Sequence, residues 1–319
     1  MAPFLPCGNL AGVSGNFVSD NIVVFRPVRQ GGILPNSAEI VGIADFCAVL
    51  AFSRAGFMPY QMEQRGDATM TSDDFGPAFH ISGAARPGRW LITCDHASNR
   101  VPLAVGGGCL GLSPEDMARH IAYDPGARGV TLALAEALDS PAICSDFSRL
   151  VIDPNRGEDD PTLLMKLYDG SIIPGNRDAD AAELARRKAA LYTPYHQALA
   201  DLAARRDDTV ILAIHSFTPC LRGRAPRPWH IGVLHSHLDT RLSQPLIARL
   251  RAEPDLCVGD NQPYNGHLPG DAIDRHALVP GRHNTLIELR NDLIATEAQQ
   301  VAWAKRLAPI LTEVLAGLS

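Results

Sequence analysis

The sequence lacks the features that mark nucleic-acid-binding and membrane-spanning proteins. Its formal net charge is −6, from 29 Lys and Arg against 35 Asp and Glu, and no basic run is interleaved with aromatic residues. A small molecule is therefore a better expectation for its partner than nucleic acid. No apolar run reaches the roughly 18 residues that a membrane span needs, since the longest candidate, residues 41–57, contains Asp45 and Arg54.

Cysteine usage bears on the compartment. Seven cysteines are scattered without a Cys-x-x-Cys pair, and an odd number does not suit a secreted disulfide framework. The first residues also lack a basic stretch followed by an apolar one, which is the pattern of a secretory signal peptide. We therefore expect a cytoplasmic protein. Cys94 ends an apolar run beside polar residues, where it is either a nucleophile or a buried filler of the core.

The chain divides into two parts of different character. Residues 1–70 carry Gly and Pro at irregular intervals and show no sustained helical or strand periodicity. This predicts a poorly ordered N-terminal extension, with a regulatory arm, or translation that starts at Met70, as alternatives. Residues 71–319 are expected to form one main domain that carries the function.

From Arg89 onward, short apolar runs alternate with helical segments. Strands are predicted at residues 89–95, 141–146, 149–153, 209–214, 230–235, 255–259 and 284–289. Helices are predicted from an N-cap at Ser113 to about Asp124, across residues 179–206 with a break at Pro194, and over residues 296–318. This alternation predicts a layered α/β domain, and the short connection at residues 146–149 predicts a mixed sheet.

Polar side chains collect where the predicted strands end. His96 and Asn99 follow the first strand, residues 153–156 follow the third, and His215 follows a run of five apolar residues. Two neutral imidazoles and a carboxylate can hold zinc and leave a fourth position open for water. A separate carboxylate near that water can act as a base. The pattern therefore favours a metal-dependent hydrolase.

The residues alone leave the third metal ligand open. Asn99 stands where an H-x-x-E motif would place a carboxylate, but an amide is a poor zinc ligand, which favours Asp124 before Pro125 and Gly126. An ordinary turn explains Asp-Pro-Gly equally well, and either histidine is also compatible with a hydrogen-bonded residue at the sheet edge. His235 and His237 form a rival metal pair if their strand continues.

Charged residues beside the strand ends predict an acid-base group and an anionic substrate. Glu288 lies within an apolar strand, where a carboxylate needs a partner or a cavity, and an ion pair with Arg290 on the same face is the alternative. Arg149 and Arg156 carry planar guanidinium groups, which bind carboxylates bidentately. Tyr264 lies in a Gly- and Pro-rich loop that forms either a lid or an ordinary surface connection.

At these residues the sequence resembles the N-formylglutamate amidohydrolase family, a relative of the zinc carboxypeptidases. Six separated segments occur in the family's order, which makes the match specific although each one alone would be weak. They are CDHASNRVP at 94–102, HIAYDPGA at 120–127, SRLVIDPNR at 148–156, AIHSFTP at 213–219, PYNG at 263–266 and IELRNDL at 287–293.

The resemblance implies a three-layer α/β/α domain around a mixed central sheet, of the phosphorylase/hydrolase-like, zinc-exopeptidase type. It also implies one zinc ion, or another divalent metal, at the strand ends. The family's roles carried onto this chain are metal ligation by His96, Asp124 and His215, general base catalysis by Glu288, and substrate binding by Asn155 and Arg156. We also expect Arg149 to stabilise the oxyanion, and Arg290 and Tyr264 to bind the substrate.

The implied reaction is hydrolysis of the amide bond of N-formyl-L-glutamate, or of a similar N-formyl or N-acyl amino acid, as in histidine degradation. Formate and the amino acid would be released. Two alternatives stay open: a carboxypeptidase-like or other acyl-amino-acid hydrolase with the same metal, and a catalytically silent small-molecule-binding relative. The sequence indicates no oligomeric state.

Overall fold

A seven-stranded mixed sheet organises the computed structural model, which describes residues 72–221 and 223–318. The predicted extension at residues 1–70 lies outside the described residues. The strands are β1 (Phe79–Ser82), β2 (Trp90–Cys94), β3 (Ala142–Ser145), β4 (Leu167–Tyr168), β5 (Ser171–Ile172), β6 (Val210–Phe217), β7 (Ile231–Leu234), β8 (Val258–Asp260) and β9 (Asn284–Arg290). The α-helices are α1 (Pro114–Met117), α2 (Ala127–Ala137), α3 (Ala181–Arg187), α4 (Thr193–Ala203), α5 (Ser243–Arg251) and α6 (Glu297–Ala316).

The strand order of the large sheet is β1-β3-β2-β6-β9-β7-β8, and β4 and β5 form a separate hairpin. The four strands β3, β2, β6 and β9 run parallel to their neighbours within that group. β1 is antiparallel to β3, and β7 is antiparallel to β9. The predicted mixed sheet is confirmed. The carboxyl ends of the parallel strands meet at one edge, where open α/β sheets bind their ligands.

Helices cover both faces of the sheet. Along β6, Leu212 and Ile214 pack into a core with α2, α5 and α6, whereas Ile211 and Ala213 face the opposite way and pack with α4. Both faces being covered, every residue of β2 and β6 is buried, as expected for parallel strands inside a layered domain. The predicted three-layer α/β/α arrangement is confirmed.

The two long predicted helices are present. Helix α6 begins with a capping box between Thr296 and Gln299 and extends to Ala316, close to the predicted bounds. Across residues 179–206, α3 and α4 are joined by a π-helical turn, Lys188–Tyr192. Pro194 follows this turn, and because it has no N–H it cannot continue the regular α-helical hydrogen bonding. No described helix has the length and apolar character needed to cross a bilayer.

The strand predicted at residues 149–153 is wrong. The segment is buried, but side chains rather than a neighbouring strand bind its backbone carbonyls. Asn176 Nδ2 donates to Leu150 O at 2.7 Å, and Arg187 Nη1 donates to Val151 O at 2.8 Å. Because these donors satisfy the buried carbonyls, an apolar run can stay irregular here. This irregular segment leads directly into residues 153–156.

The helix predicted from Ser113 to Asp124 is also wrong in length. Ser113 is the N-cap, as predicted, but α1 ends at Met117. Beyond it, Ala122 O accepts hydrogen bonds from Ser148 Oγ at 2.7 Å and from Arg149 N at 3.2 Å. Asp124 N donates to His96 O at 2.9 Å. These long-range bonds replace the helical ones, and they hold Asp124 against the end of β2.

Candidate active site

The candidate site lies where β2, β6 and β9 approach one edge of the sheet. His96 follows β2 by two residues, His215 lies in the second half of β6, and Glu288 lies in β9. His215 and Glu288 are direct partners across the parallel β6–β9 pair. The buried strands therefore fix His215 and Glu288 on rigid backbone. The hydrogen bond from Asp124 N to His96 O brings Asp124 to the same end of the sheet.

Three buried side chains form a group that could hold a metal ion. His96, Asp124 and His215 are each at most 4% exposed, and one ligand atom from each lies within 4.8 Å of the others. Asp124 Oδ2 is 2.8 Å from His215 Nδ1 and 3.4 Å from His96 Nδ1. Within residues 72–221 and 223–318 no other such group is found.

The donor set fits a divalent cation. His96 Nδ1 is buried and has no hydrogen-bond partner among the described residues, although it faces a carboxylate oxygen. Tetrahedral zinc ligands at about 2.0–2.1 Å from the ion lie roughly 3.3–3.4 Å from one another. The separation of 3.4 Å between His96 Nδ1 and Asp124 Oδ2 matches this spacing. Two imidazole nitrogens and one carboxylate oxygen leave room for a fourth, non-protein ligand.

A second carboxylate lies behind each histidine. Asp153 Oδ1 is 2.7 Å from His96 Nε2, and Asp95 Oδ2 is 3.4 Å from His215 Nε2. Tyr195 in turn donates its hydroxyl proton to Asp95 Oδ1 at 2.5 Å. Histidines that bind metals commonly donate their other N–H to a carboxylate, which fixes the ring orientation. Asp95 and Asp153 are therefore suited to orient Nδ1 of each ring towards Asp124.

These two acids were missed as functional residues from the sequence. Both share the sequence pattern that marks the histidines as candidates, because each acid begins a polar segment directly after a buried apolar segment. Asp95 immediately precedes His96, and Asp153 begins the Asp-Pro-Asn-Arg segment. Their roles depend on which ring each one meets, and that pairing arises only in the folded chain.

The electrostatics keep the carboxylates charged. Burial opposes ionisation of Asp124, but His96 and His215 hold its pKa below the ordinary value. Burial likewise opposes ionisation of Asp153, but Arg149 and His96 hold its pKa well below the ordinary value. For His215, burial is outweighed by hydrogen bonds to Asp124 and Asp95, which raise its pKa well above the usual range. The centre is thus built to place positive charge between ionised carboxylates.

Glu288 is a buried acid whose Oε2 has no hydrogen-bond partner among the described residues. Its side chain is 6% exposed. Burial raises the pKa of Glu288 to about 8, with the charge of His215 opposing this rise and that of Asp124 adding to it. The alternative ion pair with Arg290 does not form, since Arg290 Nε binds Asp292 Oδ1 at 2.8 Å. Such a group suits proton transfer.

Arg149 contacts two carboxylates of the site, those of Asp153 and Asp124. Its Nη2 donates to Asp153 Oδ2 at 3.0 Å, and Nη1 lies 3.6 Å from Asp124 Oδ1. Despite its burial, neighbouring Tyr168 and the two aspartates raise the pKa of this guanidinium. Nε has no hydrogen-bond partner in the described part of the chain. Arg149 therefore orients Asp124 and Asp153, and Nε remains for a further acceptor.

Asn155 and Arg156 are both buried beside Asp153. Asn155 N donates to Asp153 Oδ1 at 2.9 Å. Arg156 Nε donates to Thr162 Oγ1 at 3.0 Å, and its Nη1 donates to Asn155 O at 2.8 Å. These bonds involve neutral acceptors, so among the described residues the guanidinium charge of Arg156 has no carboxylate partner. The pair is positioned to meet an anionic group.

Tyr264 lies on the Glu288 side of the site, next to an arginine that sequence reasoning missed. Burial and the charge of Glu288 raise the pKa of Tyr264, and its hydroxyl accepts a hydrogen bond from Arg227 Nη1 at 3.1 Å. The Arg290 guanidinium points elsewhere, to Asp292 and to the carbonyls of Arg227 and Trp229 at 3.5 Å. Nothing in the Pro-rich sequence around Arg227 predicts its position.

The remaining candidates lie outside the His-Asp-His group. Asn99 Nδ2 donates to Met117 O at 2.9 Å, which ties the end of α1 to the β2 loop. His235 Nε2 pairs with Asp260 Oδ1 at 2.9 Å, and the ring of His237 stacks edgewise on His267. Cys94 is fully buried, and burial raises the pKa of its thiol well above the ordinary value, so it is a core residue.

Comparison with known proteins identifies the family. The family model described as N-formylglutamate amidohydrolase matches residues 88–295, a range that contains all six motifs. The chain belongs to this family. It is an amidohydrolase, and the resemblance drawn from the sequence is confirmed.

Individual proteins are similar to the chain in sequence or in fold. The chain is 27% identical over 217 residues to an N-formylglutamate deformylase of Pseudomonas aeruginosa, covering 62% of this chain and 78% of that protein. A gene product from Agrobacterium tumefaciens with a known crystal structure has 38% sequence identity to this chain and a TM-score of 0.71, and the match covers 76% of this chain and 96% of that one. The N-formylglutamate amidohydrolase of Ralstonia eutropha JMP134 is 22% identical with a TM-score of 0.53, covering 74% and 98%, and shares the fold.

Proposed function

We propose that this amidohydrolase cleaves the formyl amide bond of N-formyl-L-glutamate with the help of one divalent metal ion, zinc being the leading candidate. The observation that carries the proposal is the buried Glu288 on the strand beside His215, next to the His-Asp-His group. Among the described residues, neither Oε2 of Glu288 nor Nδ1 of His96 has a hydrogen-bond partner. The name of the Pseudomonas aeruginosa relative supports the substrate. The products, formate and glutamate, would be those of a step in histidine degradation.

His96, Asp124 and His215 would hold the ion. When bound, zinc supplies a Lewis acid that lowers the pKa of a water molecule and polarises the formyl oxygen. Asp153 and Asp95 keep the two imidazole rings oriented, as their contacts with Nε2 of each ring indicate. Loss of either acid would leave a ring free to turn away from Asp124.

Glu288 would move the protons. Its carboxylate accepts a proton from the water as the water oxygen forms a bond to the formyl carbon. It then gives that proton to the amine nitrogen as the C–N bond breaks, which releases formate and the free amino acid. The carboxylate is thus regenerated in each cycle. Burial in β9 fixes the position of the Glu288 carboxyl group and keeps bulk water away from the proton that it carries.

Arginines would bind the negative charges of the substrate. Asn155 and Arg156 would hold the α-carboxylate, because the Arg156 guanidinium is buried and meets only neutral acceptors among the described residues. Arg149 would stabilise the oxyanion that develops on the formyl oxygen, through Nε, which has no hydrogen-bond partner among the described residues. Removal of one such donor in other enzymes costs about 3–4 kcal/mol. The substrate would accordingly be a small anionic amino-acid derivative.

A panel of substrates tests this function. We expect the purified protein to release formate from N-formyl-L-glutamate with a kcat/KM at least tenfold above the rates for N-acetyl-L-glutamate and for a peptide with a C-terminal glutamate. Faster cleavage of the peptide would make the protein a carboxypeptidase with the same site. Equal rates on all acyl groups would make it a general acyl-amino-acid hydrolase. A folded, metal-loaded protein that cleaves none of them would be a silent relative.

A further inference from the structure

N-formyl-L-glutamate carries two carboxylates, and the proposed function accounts for the recognition of only one of them. Two described arginines beside the site are already used, since Arg149 binds Asp153 and Arg290 binds Asp292. Arg156 and Arg227 remain, and neither forms an ion pair with a described carboxylate. We propose that Arg227 binds the side-chain carboxylate of the substrate and thereby makes the enzyme selective for acidic N-formyl amino acids. This inference rests on the proposed function.

The position of Arg227 is fixed by aromatic rings and by a carbonyl. Its guanidinium carbon lies 5.0 Å from the centre of the Tyr264 ring and 5.8 Å from that of Phe217. Nη1 donates to Tyr264 Oη and to Thr218 O, both at 3.1 Å. An arginine placed between aromatic faces loses little further freedom when it binds an anion. Its position therefore does not depend on a substrate.

The donors of Arg227 are only partly used. Within the described residues, Nη1 alone takes part in its side-chain hydrogen bonds. Nη2 and Nε are left for a further acceptor, and a planar guanidinium can present two parallel N–H groups to one carboxylate. The side chain is half-buried, where a charge-assisted bond is less screened than on an open surface. The geometry thus suits one small anionic group.

Arg227 and Arg156 lie near different histidines of the site. Arg227 packs on the aromatic ring two residues beyond His215 on β6. Arg156 follows three residues after Asp153, whose carboxylate contacts His96. Cations near two different members of the His-Asp-His group suit the two carboxylates of a dicarboxylic amino acid. One cation would suffice for an amino acid with a neutral side chain.

The test compares N-formyl-L-glutamate with its neutral counterpart, N-formyl-L-glutamine. Hydrogen bonds to charged groups are worth about 1.5–3 kcal/mol, which is roughly a 10- to 150-fold change in binding. Arg227→Met should lower kcat/KM for the glutamate substrate by about that factor, chiefly through KM, and leave the glutamine substrate within about threefold. Arg177→Met, at an exposed position outside the site, is the matched control and should behave as the unmodified protein.

Two results would overturn the assignment. Equal losses on both substrates would mean that Arg227 only supports the loop and Tyr264, and an unmodified protein that does not distinguish the substrates would remove the need for a second cation. If no N-formyl amino acid is cleaved, the proposed function fails, but calorimetric titration with L-glutamate and L-glutamine still decides. Arg227→Met should then weaken only glutamate binding, and unchanged binding would contradict the assignment.

Discussion

The carboxylate of Asp95 lies 3.4 Å from Nε2 of His215, although Asp95 is the neighbour of His96 in the sequence. The carboxylate that contacts His96 belongs to Asp153, 57 positions further along the chain. Adjacent residues thus serve different histidines, because successive side chains at the end of β2 point in different directions. Each ring is held from behind by a separate acid, and both present Nδ1 to Asp124.

The two supporting acids should control metal affinity. We expect Asp153→Asn and Asp95→Asn each to weaken zinc binding by about 10- to 100-fold, because an amide orients and polarises an imidazole less well than a carboxylate. Competition with a chromogenic chelator at fixed pH measures this effect. Asp201→Asn, an exposed position on α4, is the control. Unchanged affinity in both site variants would show that the acids do not act through the rings.

Glu288→Gln should separate metal binding from chemistry. The amide keeps the shape of the side chain but cannot accept and return a proton, so turnover should fall by about 10²- to 10⁴-fold. Zinc content, measured by elemental analysis, should stay at the level of the unmodified protein, because Glu288 is not in the His-Asp-His group. An active Gln variant would refute its assignment as the base.

Arg156→Lys should weaken substrate binding more than catalysis. A lysine keeps the charge but cannot match a carboxylate with two parallel N–H groups, and it loses the bond to Thr162. We expect a higher KM for carboxylate substrates with kcat within a few-fold, measured in steady-state kinetics. If neither constant changes, Arg156 does not line the substrate pocket.

Asp271 should make stability depend on pH. Burial raises its pKa from 3.8 to about 7, with the charge of Asp95 adding to this and a hydrogen bond from Asp274 N opposing it. The folded state therefore binds this proton more tightly than the unfolded state does. The stability that this gives is fully present below about pH 4 and is lost as the pH rises towards 7.

Asp271→Asn removes this dependence. At 1.36 kcal/mol per pKa unit, the variant should gain up to about 4 kcal/mol relative to the unmodified protein between pH 4 and pH 7, and no more above that. Urea denaturation of both proteins across this range measures the difference. A difference in unfolding free energy that does not change with pH would contradict a raised pKa for Asp271.

The sequence predicted those parts of the site that depend on local pattern. His96, His215 and Glu288 each lie in or directly after a buried apolar strand, and parallel strands bring such positions together at one edge. The prediction of Asp124 as the third ligand depends on the poor ligand character of the Asn99 amide and on the family resemblance. The structure places Asp124 between the two histidines. The mixed sheet and the layers followed from the order of the elements.

The parts that local pattern did not predict depend on long-range contacts. The segment at residues 149–153 reads as a strand, but Asn176 and Arg187 from distant positions bind its carbonyls and keep it irregular. Arg227 lies in a Pro-rich loop with no periodicity, and only its packing between Phe217 and Tyr264 brings it to the site. Such contacts join residues far apart in the chain, so no short window of sequence contains them.

The most direct test of the account is formate release from N-formyl-L-glutamate by the purified protein before chelation, after chelation, and after zinc is restored. We predict release that is lost on chelation and regained with about one zinc ion per chain. The His96→Ala variant should regain neither metal nor activity, because it lacks one of the three proposed ligands. Formate release that persists in the fully chelated protein would contradict the metal-dependent mechanism.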